Sequence, residues 1–241
     1  MNDDRSASHP APTMTSGEEA AMRLAGLRWE TTVSEARLGP TTHRVIQPAR
    51  AFTHATLHLH DRYAGISADK TDAAALAAAW WLAARSPRSI VHLPLRSGSA
   101  CDAHDDARPH DLVLLHRTLG FRTADWKAVR GALTRPRPHT IEVGPEPFPE
   151  LPDVEHHRIH HREFNDHLRW RTAADTLFVI GTRTAFDRQG HLFRALVEEA
   201  PADRSRYPAT HWCIEVDLGR KGTDRRNPSM YLHVECCDRH W

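Results

Sequence analysis

The sequence predicts an α+β fold, with a mainly antiparallel sheet packed with helices. Three observations predict it. Apolar and polar residues alternate with period two in several short runs. Two longer runs carry helical spacing behind a capping residue. Strand runs also follow one another directly, as antiparallel neighbours do. The chain has 241 residues, 40% apolar and 26% charged, enough for a sizeable core.

Residues 1–19, rich in Ser, Ala, Pro and acids, read as a lead-in without regular structure. Residues 20–135 form a first α+β half. In Ala51 to His60, Ala55, Leu57 and Leu59 alternate with His54, Thr56, His58 and His60, which predicts a strand. Thr71 or Asp72 caps a helix over 72–85 with Leu76, Trp80 and Ala83 on one face. Ser89 to Leu95 and Asp111 to His116 are short strands, separated by a polar loop from Gly98 to Pro109. Thr123 caps a helix carrying Trp126, Val129 and Leu133.

Residues 136–152 hold six of the sixteen prolines and read as a linker, because proline excludes regular helix and central-strand pairing. Residues 153–241 form a second half. It contains a helix from Asp153 to Trp170, a strand from Asp175 to Gly181, and a helix over 185–199 capped by Thr184. A hairpin follows, His211 to Leu218 and Ser229 to Cys237 around a ten-residue loop. Both halves thus read strand, helix, strand, strand.

Thirty-two basic residues oppose 31 acidic ones, so no chain-wide nucleic-acid surface is expected. The longest apolar run, Ala73 to Ala84, is shorter than the roughly 20 residues of a membrane span. With no signal peptide visible, a cytoplasmic protein is expected. Without a Cys-x-x-Cys pair, Cys101, Cys213, Cys236 and Cys237 read as free thiols. Scarce lysine and abundant Ala and Arg suggest a high-GC genome, and the histidine enrichment reads either as its codon bias or as functional.

Nineteen histidines make the composition distinctive. The densest run is Glu155-His156-His157-Arg158-Ile159-His160-His161-Arg162-Glu163. On a helix, His156, His160, Glu163 and His167 fall within about 60° of one another. Imidazoles and a carboxylate on one stripe suit Zn²⁺ or Fe²⁺. On a strand, His157, His161 and Glu163 share a side instead.

The C-terminal hairpin gives a second ligand set. Trp212, Ile214, Val216 and Leu218 form one apolar face, and Met230, Leu232, Val234 and Cys236 form its partner. Aligning these faces places Glu215 opposite His233 and Cys213 opposite Glu235. The other face then gathers His211, Cys213, Glu215, Asp217, Tyr231, His233 and Glu235, of which Glu215, His233 and Glu235 are the chosen metal ligands. Cys101 to Asp106 is a third, looser group of ligand types. The hairpin loop, with Arg220, Lys221, Arg225 and Arg226, suits a local phosphate.

Two segments, Phe52-Thr53-His54-Ala55-Thr56-Leu57 and Leu114-Leu115-His116-Arg117-Thr118-Leu119, share His-x-Thr-Leu. This resembles the paired motif of the 2H phosphoesterases. The resemblance implies His54 and His116 as acid and base on a 2′,3′-cyclic or related phosphodiester, with Thr56 and Thr118 holding the phosphate. Walker A, Gly-x-Gly-x-x-Gly, Gly-x-Ser-x-Gly, His-Glu-x-x-His and zinc-deaminase patterns are absent from the sequence.

The leading expectation is a metal-dependent hydrolase or oxygenase acting on a small molecule, with Zn or Fe as cofactor. The alternatives are a metal-independent phosphodiesterase and a non-catalytic regulatory, immunity or accessory protein with a protein partner.

Overall fold

The computed structural model describes residues 22–99, 108–149, 161, 163–222, 227–237 and 240–241. Strands β1 (Arg28–Leu38) and β2 (Thr41–Pro48) form a hairpin. Gly39 turns it with φ of 58°, in the left-handed region that glycine adopts without strain. Then come β3 (Thr56–Leu59), β4 (Tyr63–Ala68), α1 (Lys70–Arg85), β5 (Ser89–Leu93), β6 (Pro109–His116), α2 (Trp126–Gly131) and β7 (Arg137–Glu142). The remaining elements are β8 (Arg169–Ala173), β9 (Thr176–Gly181), α3 (Arg183–Glu198), α4 (Ala200–Arg206), β10 (Cys213–Lys221) and β11 (Ser229–Cys236).

All eleven strands join one mixed sheet, ordered β3-β4-β11-β10-β8-β9-β6-β5-β2-β1-β7. The mainly antiparallel sheet expected above is therefore corrected. Four neighbour pairs are parallel: β4 with β11, β6 with β9, β8 with β10, and β2 with β5. Each joins strands with at least one helix between them in the chain. Alternation along a strand reports which face is buried, not the direction of a distant neighbour. The strands of the second stretch, β8 to β11, lie side by side between β4 and β6 of the first.

Within the sheet one order of elements occurs twice, β3-β4-α1-β5-β6 and β8-β9-α3-β10-β11. The registers match. Thr56 faces Ser67 as Arg169 faces Ile180, and Ala68 lies beside Cys236 as Gly181 lies beside His116. Asp69 caps α1 and Thr182 caps α3, each accepting from a backbone N–H three residues on. Trp80 and Phe193, equivalent residues of the two helices, stack with centroids 4.6 Å apart. Trp80 also donates its indole N–H to the Phe186 carbonyl, which satisfies the one polar atom of a fully buried ring.

α1 and α3 cover one face of the sheet and enclose the larger core, with Leu57, Ile66, Leu114, Val179, Val216 and Val234 among its residues. On the opposite face, Trp126 and Val129 of α2 close a second core over Val45, Ile90, Val113, Leu115 and Phe178. β7 occupies residues 137–142 of the proline-rich segment. It pairs only with β1 at the sheet's end, where Pro138 interrupts no ladder between two neighbours.

The predicted helix from Asp153 to Trp170 is corrected where it can be compared: residues 163–168 are non-helical, and Arg169 opens β8. Phe164 and Leu168 stand at helical spacing. Their surroundings differ, since Phe164 packs under the Arg188 guanidinium while Leu168 enters the core. The expectation of free thiols is also corrected. Cys213 and Cys236 keep the thiol form, but Cys237 is disulfide-bonded.

Candidate metal centre

The β10/β11 hairpin adopts the register that its apolar faces dictate. Cys213 pairs with Glu235, Glu215 with His233 and Asp217 with Tyr231. Ile214, Val216, Leu232 and Val234 turn inward to the core. The odd-numbered residues turn to the other face. There His211, Cys213 and His233 each bring one ligand atom within 4.8 Å of the others. The His211 and His233 rings are nearly parallel, at 5° and with centroids 5.5 Å apart. His233 is half-buried between two carboxylates, with Nδ1 3.8 Å from Glu215 Oε1 and Nε2 3.7 Å from Glu235 Oε2. Glu235 Oε2 is also 3.9 Å from His211 Nδ1.

Among the described residues neither carboxylate forms an ion pair with Arg or Lys. Their charge is felt nearby: burial, then Glu215 and Glu235, push the Cys213 thiol above its ordinary range. Two anions, two imidazoles and a thiol thus share one patch, and that combination favours a cation.

The corresponding positions of the first repeat are different in kind. Cys213, Glu215, His233 and Glu235 match Ile90, His92, Val113 and Leu115 by register. Those four are buried and closed over by Trp126. The same sheet geometry therefore carries a sealed core in one repeat and a polar ligand set in the other.

The other predicted residues lie elsewhere. His156 and His160 fall outside the described residues, as does Cys101 to Asp106. Glu163 is exposed in a turn. His167 lines a cavity between α3 and β10, with Arg188 and Asp217. His211 and Cys213 were legible only as members of the alternating polar face, not as ligands. Their signal is the two-residue spacing that puts both on the side of His233.

The two His-x-Thr-Leu segments occupy different settings. His54 stacks on His240 at 3.7 Å, and its backbone N–H donates to Asp72 Oδ2 at 2.7 Å. Thr56 opens β3, which meets β6 at its start, where Leu57 pairs with His110. His116 lies at the far end of β6, about 20 Å along the strand from His110. Thr118 has left the strand for a short 3₁₀ turn, and its hydroxyl donates to His116 Nδ1 at 2.8 Å. Burial, reinforced by Arg117, holds His116 below its ordinary pKa.

No helix among the described residues is long and apolar enough to cross a membrane. Compared with protein-family models, curated proteins and solved structures, the chain finds no match.

Proposed function

We propose that the chain binds one transition-metal ion, Zn²⁺ or Fe²⁺, on the β10/β11 face and uses it in chemistry on a small molecule. The observation that carries this is the convergence of His211, Cys213 and His233 within 4.8 Å. Tetrahedral coordination asks for donor atoms about 3.3–3.6 Å apart, so a shift of about 1 Å in the side chains suffices. Thiolate and imidazole favour Zn²⁺ or Fe²⁺ over Mg²⁺ or Ca²⁺. Three protein ligands leave a position for water or substrate, where the ion would supply Lewis acidity. Glu215 and Glu235, 3.8 and 3.7 Å from His233, would be candidate proton acceptors for such chemistry. Binding also releases the Cys213 proton, so affinity rises with pH.

The test is metal content by mass spectrometry on untagged protein purified without chelator, followed by Zn²⁺ titration of the stripped protein. About one equivalent is expected, lost in a Cys213→Ser/His233→Ala variant whose circular dichroism is unchanged. Absence of saturable Zn²⁺ or Fe²⁺ binding would overturn the proposal.

A second reading keeps the phosphodiesterase. The hydrogen bond between Thr118 and His116 favours it, since it leaves Nε2 carrying the proton of a neutral ring. His54→Ala and His116→Ala should then each abolish hydrolysis of a 2′,3′-cyclic nucleotide. Full activity in either variant rejects it.

A further inference from the structure

β8 flanks β10 on the side away from β11, and arginines gather along that junction. Arg169 of β8 lies beside Arg220 of β10 in parallel register, and Ser229 of β11 faces Arg220 in turn. Neighbours in register share a face of the sheet, and so do residues two apart along a strand. Arg169, Arg171, Arg220 and Tyr231 therefore stand on one side. Trp170 and Lys221 stand on the other, with the Lys221 ammonium 5.3 Å from the indole centre. Arg117 reaches the same spot from the end of β6. Its Nη2 donates to the carbonyl of His167, two residues before Arg169, at 3.1 Å.

Clustered guanidiniums repel one another, so such a group attracts an anion. The chain itself supplies little neutralisation. Among the described residues, the side chains of Arg169 and Arg171 make no hydrogen bond or ion pair. Arg117 reaches Asp166 at 3.7 Å, but that carboxylate also accepts from the Thr182 hydroxyl at 2.8 Å. Partial burial, then Arg117 and Arg171, push the Arg169 pKa below its ordinary value. Arg169 is half-buried, whereas Arg171 and Arg220 are exposed.

Two aromatic rings continue this face. Tyr231 is 48% exposed, and Tyr63, its partner in register on β4, is 43% exposed. Among the described residues only Tyr207 exposes another large apolar side chain to this degree, so the exposed rings are concentrated here. His60 stacks on Tyr63 at 4.2 Å and fixes its plane. Asp217, opposite Tyr231, has its carboxylate engaged by the Gly219 N–H at 2.8 Å. From Arg169 to Tyr63 the face crosses three strand spacings, about 14 Å.

We infer that this face binds single-stranded nucleic acid, with phosphates on Arg117, Arg169, Arg171 and Arg220 and bases on Tyr231 and Tyr63. Guanidiniums match phosphate oxygens through planar paired donors, and exposed aromatic rings stack unpaired bases of any sequence. A duplex offers its phosphates but keeps its base faces stacked inside, so the tyrosines favour the single strand. The open surface suits a polymer backbone, whereas a small phosphate compound is held in a concave pocket. The inference does not rest on the metal centre.

The test is fluorescence anisotropy of the full chain with a labelled oligouridylate of about 12 nucleotides, beside oligothymidylate and a blunt duplex of equal length. Saturable binding of a single strand is expected, and the tighter of the two strands tells RNA from DNA. The slope of log K against log salt should be about −2 to −3, since each neutralised phosphate contributes about −0.7. Arg169→Gln/Arg171→Gln should weaken binding about tenfold and make that slope shallower by about 1.4. Tyr231→Ala should weaken it about fivefold with the slope unchanged, which separates stacking from charge. Circular dichroism should be unchanged in both variants. Cys213→Ser should bind as the wild type does, whether or not the metal centre exists. Absence of saturable binding, or a folded double arginine variant that binds unchanged, overturns the proposal. Duplex binding as tight as that of the single strand, an unchanged Tyr231→Ala variant, or equal displacement by polyglutamate overturns it as well.

Discussion

Asp111→Ala should destabilise the protein by about 3 kcal/mol, a loss read from the denaturant midpoint with the slope unchanged. Asp111 is 2% exposed and stands at the centre of four groups. Its Oδ1 accepts from the Arg96 backbone N–H at 3.2 Å, and its Oδ2 accepts from Arg130 Nη1 at 3.0 Å. Arg96 Nε at 3.1 Å and His92 Nε2 at 3.3 Å approach the same oxygen. Both come in off their N–H axes and lack a well-aligned hydrogen-bond acceptor, so these contacts act mainly through charge. Removing the carboxylate leaves two guanidiniums and a buried imidazole facing one another. The arginines are a quarter to a third exposed and recover some solvation, which keeps the effect at the low end of the range for broken buried pairs.

The same cluster makes stability depend on pH. Burial pushes the Asp111 pKa up, but His92 and Arg96 outweigh it and hold the carboxyl below its ordinary value. Its contribution is present above about pH 3.9 and is lost as pH falls through the lower native value. Burial holds His92 below its ordinary value despite Asp111. Gln47 donates to its Nδ1, which keeps the proton on Nε2 toward Asp111. Below about pH 6.5 the unfolded chain takes up a proton that native His92 refuses, so stability falls with acidification. His116 and His167, also lowered by burial, add to the same slope. A urea series between pH 7.5 and 5 should show stability falling from near pH 6.5. A flat profile would contradict the buried neutral state of these rings.

Gly190→Ala should cost about 2 kcal/mol, although alanine is the better helix former by about 1 kcal/mol. A Cβ at Gly190 would fall 1.9 Å from Phe148 Cδ1 and 2.3 Å from its Cγ. Phe148 is itself 2% exposed. Arg85 holds the segment beside it by donating to the Pro147 carbonyl at 3.0 Å, while its other nitrogen pairs with buried Asp187 at 2.8 Å. The ring therefore has little room to retreat. Phe148→Ala alone should cost about 3–5 kcal/mol through the cavity it leaves. The double variant should lose clearly less than the two single losses together, because the new methyl group enters that cavity. Strict additivity would show that the two side chains do not meet.

The hairpin register was legible because both of its strands carry an uninterrupted apolar face. A one-residue slip would turn Ile214, Val216, Leu232 and Val234 to the polar side. α1 and α3 were legible for similar reasons, although their caps proved to be Asp69 rather than Thr71 or Asp72, and Thr182 rather than Thr184. β1, β2 and β4 escaped the reading. In β1 and β2 much of the non-core face is charged or hydroxylated, and in β4 the pattern is thinned by Gly65 and Ser67. The candidate metal patch was half legible. Alternation gathered its residues, but choosing His211 and Cys213 as ligands required the three-dimensional convergence of their side chains with His233. The cavity around Arg188 had no local signal, because His167, Arg188 and Asp217 come from three separate segments.

The parallel pairing of β4 with β11 also governs the order in which the molecule can assemble. β4 gains this neighbour only when Ser229–Cys236 is available, since Tyr63 pairs with Tyr231 across more than half of the chain. Closing so long a loop carries an entropic cost before any contact repays it, and such topologies fold slowly. On the ribosome, β3 and β4 emerge early and can pair as a hairpin, yet the outer edge of β4 waits unpaired until the last strand has been made.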